Sequence, residues 1–164
     1  MPTANLGAGY QVGKIIGYML TWTTYGTWLQ GDEKGYVKDG KILCENKELH
    51  TANLENMRCN AVYLNEQQRR VVYGAICCKA KRIGQVVRAL SVAKDHVHIV
   101  VERAGMSIEK SAGIYKKAGT DALRKSGLAG KVWTRGYDKR FCFDEEGLRT
   151  RTHYVKKHSC LGND

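Results

Sequence analysis

Four residues of this chain have types and spacings that could do chemistry. His96 and His98 stand two apart in the run Asp95-His96-Val97-His98-Ile99-Val100-Val101-Glu102, and Tyr154 and His158 stand four apart near the end of the sequence. Side chains alternate along a β-strand, so the two histidines share a face about 7 Å apart, and two imidazoles at that spacing can converge on one metal ion. Taken alone, such a pair more often marks a solvated sheet face. On a helix, residues four apart differ by only about 40° around the axis, so Tyr154 and His158 point the same way. The apolar stripe of their segment runs through Leu148 and Val155, and Tyr154 lies about 100° from Val155, at the edge of the stripe. A packing tyrosine belongs on the stripe, as Tyr115 does with Ala112 and Ala122. Tyr115 is therefore assigned to the core, and Tyr154 is kept as a candidate for chemistry.

The elements that must position these residues follow from periodicity. Residues 18–24 alternate, with Tyr18, Leu20 and Trp22 on one face and Met19, Thr21 and Thr23 on the other, which predicts a half-buried strand. Asn65 followed by Gln68 forms a capping box for a helix over 66–83, on which Val72, Ala75, Ile76 and Ile83 recur at helical spacing. Two β-rich runs, 85–93 and 96–102, are joined at Lys94-Asp95 as an antiparallel hairpin. Ser107 caps a second helix to about residue 125, striped by Ile108, Ala112, Tyr115 and Ala122, although Gly113 and Gly119 weaken it. Residues 132–143 predict one or two strands bent at Gly136. Asp144 then caps a helix over 144–158, whose acidic first turn (Glu145, Glu146) and basic last turn (Lys156, Lys157) both suit the helix dipole. Residues 1–16 are expected as a loose arm and 31–63 as a long irregular loop of the kind that is functional or mobile. The order strand, helix, strand, strand, helix, strand, helix predicts an α+β, ferredoxin-like split βαβ (βαββαβ) fold. Its antiparallel sheet has four to five strands, with helices on one face and an additional C-terminal helix.

At 164 residues the chain fits a single domain, able to bury roughly 70% of the surface its unfolded form exposes. The six cysteines form no CxxC pair, and neither a leader-like stretch nor a long apolar segment is seen. Reduced thiols in a cytoplasmic protein are expected. A net charge of +11 points to a polyanionic partner, and the lack of a basic amphipathic helix with an aromatic face argues against a membrane surface. Lys116, Lys117, Arg124 and Lys125 on the second helix, with Arg135, Lys139 and Arg140 after it, form the candidate patch for phosphates, and Trp22, Trp28 or Trp133 are candidates for stacking bases.

The blocks "YMLTWTTYGTWLQGD", "DHVHIVV", "VWTRGYDKRF" and "LRTRTHYVKKH", in this order from Tyr18 to His158, resemble the single-tyrosine HUH transposases. These are the insertion-sequence 200/605 group and their REP-associated relatives. The resemblance implies a ferredoxin-like enzyme that cuts and rejoins single-stranded DNA at hairpin-forming element ends, acts as a homodimer, and is nucleoid-associated when bound to DNA. It implies His96, His98 and His158 as metal ligands and Tyr154 as the nucleophile, giving a 5′-phosphotyrosyl link and a free 3′-hydroxyl. The family commonly has glutamine at the third ligand position. Histidine there shifts the expected divalent ion from magnesium toward manganese or another transition metal. The residue types suit this chemistry, because an ordinary tyrosine hydroxyl, with a pKa of about 10, needs a cation nearby to attack at neutral pH.

Two other readings use the same residues differently. A domesticated relative, replication initiator or relaxase would share the site and serve another task. A non-catalytic nucleic-acid-binding module of the same fold would need neither metal nor Tyr154, and would carry exposed aromatics in an RNP pattern, which this sequence lacks.

Overall fold

The computed structural model describes residues 13–39 and 41–159. In chain order the elements are β1 (Gly17–Thr23), β2 (Tyr36–Lys38), β3 (Lys41–Leu43), α1 (Lys47–Glu55), α2 (Glu66–Ile83), β4 (Val87–Val92), β5 (His96–Glu102), α3 (Ile108–Lys125), β6 (Asp138–Cys142) and α4 (Glu145–Lys157). Strands β4, β5, β1 and β6 lie side by side in that order, all antiparallel, as in the split βαβ plan.

The helices begin where the sequence supplies caps. Gln68 N–H donates to the Asn65 side chain at 2.8 Å and Asn65 N–H donates to the Gln68 side chain at 2.9 Å, which starts α2. Ser107 accepts from Lys110 N–H at 3.2 Å to start α3, and Asp144 accepts from Gly147 N–H at 2.7 Å to start α4.

Strand alternation then divides the core into two layers. Tyr18, Leu20 and Trp22 of β1, with Val97, Ile99 and Val101 of β5, pack against Val72 and Ile76 of α2 and Ala112, Tyr115 and Leu123 of α3. On the opposite face Met19, Ala89, Val100 and Cys142 pack against Leu148 and Val155, so among the described helices α4 is the one that covers that side. Gly17 makes this close approach possible, since a Cβ there would stand 2.8 Å from Leu148 Cδ1 and 2.7 Å from the Val101 carbonyl. Leu148 is 1% exposed, and Leu148→Ala is expected to cost about 2–5 kcal/mol in denaturant unfolding. Unchanged stability would show that α4 does not depend on this seat.

Three expectations need correction. The long irregular loop at 31–63 instead contains the hairpin β2–β3 and helix α1. Three-residue strands and a helix with no buried residue leave no periodic apolar stripe to detect. The loose arm at 1–16 extends too far: residues 1–12 lie outside the described residues, but Ile15 packs on the larger core. Ile16 N–H donates to the Cys142 carbonyl at 2.9 Å, while its own carbonyl accepts from Arg103 N–H at 2.9 Å. On α3 the buried line is Ser111, Ala112, Tyr115, Gly119 and Leu123 rather than one through Ala122. Gly119 serves that line as the place where the Trp133 indole fits, 3.0 Å from where a Cβ would be.

Cys44, Cys59, Cys77, Cys78 and Cys142 are free thiols, and Cys160 lies outside the described residues. Among the described residues no helix is long and apolar enough to cross a membrane.

Candidate functional site

Register and docking together assemble the site. Antiparallel pairing sets His98 of β5 beside Thr21 of β1 and Ser91 of β4, and sets His96 beside Thr23. This row faces the side of the sheet that α4 crosses. The His96 and His98 rings lie 4.7 Å apart, the Tyr154 ring is 6.0 Å from that of His98, and the His158 ring is 4.5 Å from that of Tyr154. Ser91 Oγ donates to the His158 carbonyl at 3.2 Å, which pins the end of α4 beside the histidine row. The face carrying His96 and His98 therefore meets the face carrying Tyr154 and His158. Tyr154 is 47% exposed, open to a substrate as large as a polymer, whereas Tyr115 is fully buried with its hydroxyl donating to Gln85 Oε1 at 2.5 Å.

Both strand imidazoles are held from behind. His96 Nδ1 donates to Asp95 Oδ1 at 2.7 Å, and His98 Nδ1 is 2.7 Å from Thr21 Oγ1. With Nδ1 engaged, Nε2 is the ring atom each has left for a ligand, which is how metal-bound histidines are commonly oriented. Burial, followed by the neighbouring His96 and His158, pushes the His98 pKa down to about 4, partly opposed by Asp138. At neutral pH His98 is thus the neutral imidazole that a metal requires. This donor set suits a divalent transition metal. Among the described residues, no three His, Cys, Asp or Glu side chains are close enough to hold an ion as they stand. The fit rests on the two strand histidines.

The seven candidate phosphate-binding residues are not gathered in one place. Lys116, Lys117, Arg124 and Lys125 ride on α3, across the sheet from the histidines. The Lys116 ammonium donates to the carbonyls of Thr134 at 2.8 Å and Gly136 at 2.9 Å, and burial lowers its pKa; it braces the chain before β6. Lys117 pairs with Asp121 at 2.9 Å, while Arg124 and Lys125 are exposed at the helix end. Lys139 pairs with Glu109 at 3.3 Å. Arg140, opposite Met19 in the ladder, shares the face of the site and pairs with Asp138 at 2.9 Å. Arg135 lines a pocket beside Trp28. Trp22 and Trp133 are buried, in edge-to-face contact with centroids 6.1 Å apart, so of the three tryptophans only Trp28 is exposed.

Asp95, Thr21 and Ser91 were not among the expected site residues. Asp95 read as part of a tight turn, although a carboxylate next to a candidate ligand is itself a signal. Thr21 falls on the polar face of its strand, but its place beside His98 depends on register. Ser91 sits inside an apolar run and gives no signal.

Residues 45–158 match the family described as IS200-like transposase. No curated protein matches the chain. Among solved structures it is similar to a REP-associated tyrosine transposase bound to a REP hairpin, with 15% identity over 87% of this chain and 68% of that one, at a TM-score of 0.53. It is also similar to a candidate transposase from Deinococcus radiodurans R1, with 16% identity over 97% of this chain and 98% of that one, at a TM-score of 0.45. The first likeness shows the shared α+β fold with its four-stranded antiparallel sheet.

Proposed function

The chain belongs to the IS200-like transposase family, and from that premise we propose that it cuts and rejoins single-stranded DNA with Tyr154 as nucleophile. The observation that carries the proposal is the meeting of the two faces, with Tyr154 set 6.0 Å from His98 and 4.5 Å from His158, ring to ring. Tyr154 Oη attacks the phosphorus of the scissile linkage. A phosphorus–oxygen bond forms to the tyrosine, the bond to the 3′-oxygen breaks, the phenolic proton passes to water, and the leaving 3′-oxygen gains a proton. The products are a 5′-phosphotyrosyl link and a free 3′-hydroxyl. Attack by a 3′-hydroxyl on that link reverses the exchange without an energy source, because one phosphodiester replaces another.

His96 and His98 would hold a divalent ion through Nε2, and His158, which forms no ready three-ligand group with them, would have to turn toward them to serve as the third ligand. When bound there, such an ion, manganese or magnesium, would supply polarisation of a non-bridging phosphate oxygen and help orient the linkage. Asp95 and Thr21 fix the two rings. Thr21→Val keeps the shape and removes the hydroxyl, so manganese affinity is expected to fall about 10- to 100-fold in a calorimetric titration. Equal affinity would remove Thr21 from the site.

Hairpin DNA is the proposed substrate, since the solved relative of the same fold was captured on a REP hairpin. The test is to incubate the protein with single-stranded DNA from the ends of its genomic locus, with and without manganese or magnesium. A covalent protein–DNA species that survives denaturation and requires the ion is expected, and its absence under both metals would overturn the proposal.

A further inference from the structure

Beyond β1 the chain runs through Thr24, Tyr25, Gly26, Thr27 and Trp28 into the segment carrying β2, β3 and α1. Helix α1 buries none of its nine residues, and among the described residues 31–63 only Gly31 and Tyr36 are buried, so this segment adds little to the core. It is nevertheless built firmly. Asn46 N–H at the start of α1 donates to the Gly31 carbonyl at 3.0 Å, and Gly31 has φ +95 with its missing Cβ only 2.4 Å from the Asn46 carbonyl, so only glycine fits there.

The segment closes a pocket of about 490 Å³ against Thr134 and Arg135. That volume lies within the roughly 300–1,000 Å³ of small-ligand sites. Trp28 lines it and is 38% exposed, with its indole N–H donating to the Gly35 carbonyl at 3.1 Å, a bond that fixes the ring. Tyr25 lines it too, and Lys131 Nζ stands 5.0 Å from the centre of the Tyr25 ring. Besides the two tyrosines, the polar residues lining it are Gln30, Asn53, Asn56, Thr134 and Arg135, with no Asp or Glu among them, and Asn53 Nδ2 donates to the Gln30 carbonyl at 2.9 Å.

Fixed aromatic rings, amides able to both donate and accept, and one cation match a planar, neutral heteroaromatic group attached to a phosphate. The pocket is also joined to the site. Thr24 N–H and Oγ1 both donate to the Asp95 carbonyl, at 2.8 and 3.2 Å, and Asp95 is the residue that holds His96. We propose that this pocket takes one unpaired nucleobase of the DNA strand, stacked on Trp28, beside the point of cleavage. The proposal rests on the DNA-cutting reading above and adds to it a second point of contact, one that reads an unpaired base.

The experiment uses the full chain carrying Tyr154→Phe, which holds DNA without cutting it, and a DNA hairpin with a single-stranded tail containing one 4-thiothymidine. Irradiation followed by peptide mapping should place the crosslink on Trp28 or Tyr25. Trp28→Ala should weaken binding of the tailed hairpin about tenfold and leave the tail-less hairpin unaffected. Trp28→Phe keeps a stacking ring but loses the bond to Gly35, so it should retain most of the affinity. Equal losses for Ala and Phe, equal losses for both hairpins, or crosslinks confined to other residues would overturn the pocket while covalent adduct formation by the unmodified protein still stood. A protein that binds no single-stranded DNA would overturn both readings.

Discussion

Replacing Tyr154 with phenylalanine is expected to abolish covalent attachment to DNA, lowering the rate of strand cleavage by about three orders of magnitude or more. The change removes one oxygen and little else. The ring lies against His98 and His158, contacts that phenylalanine keeps, and the side chain is 47% exposed, so stability should shift by less than about 0.5 kcal/mol. Affinity for a hairpin with a single-stranded tail, measured by fluorescence anisotropy, should be nearly unchanged. A variant that loses binding together with cleavage would indicate that Tyr154 serves in holding DNA. A variant that still cleaves would place the nucleophile elsewhere.

His98→Ala is expected to have the second largest effect. His98 sits between His96 and Tyr154, is braced by Thr21, and is held neutral by its burial. Removing its ring takes away one of the two imidazoles whose Nε2 atoms would hold the ion. If the ion lowers the barrier by several kcal/mol, its loss corresponds to about a thousandfold fall in cleavage rate. Chelation of the unmodified protein should reproduce that fall, and added manganese should rescue the chelated protein but not the variant. Thermal unfolding separates this outcome from misfolding, since a half-buried ring at the sheet surface contributes less to stability than Leu148 in the core. Cleavage that persists in His98→Ala would remove the metal from the account.

Much of this arrangement was legible because the local signals agree with one another. Tyr18, Leu20 and Trp22 in one strand and Val97, Ile99 and Val101 in another recur at every second residue, and Asn65, Ser107 and Asp144 each precede a periodic segment. What local pattern does not encode is which face α4 covers. The clue lay beyond the histidines: Met19 and Val100 share the polar side of their strands, are 8% and 0% exposed, and require a cover that Leu148 and Val155 supply. Register was equally hidden, so Thr21 and Ser91 could not be placed beside His98 from spacing. The segment at 31–63 stayed illegible because its elements are too short and too exposed to show a period. Charge told least about position. Lys116, which reads as a phosphate ligand by type, turns its ammonium inward onto two backbone carbonyls.

The central claim is that Tyr154 becomes joined to DNA through phosphorus. It is tested most directly by trapping the reaction on a single-stranded hairpin with manganese, digesting with nuclease and trypsin, and locating the nucleotide by mass spectrometry. A nucleotide carried through its 5′-phosphate on Tyr154 is expected within the peptide Thr152-His153-Tyr154-Val155-Lys156. A nucleotide found on any other residue, or attached through its 3′ end, would contradict it.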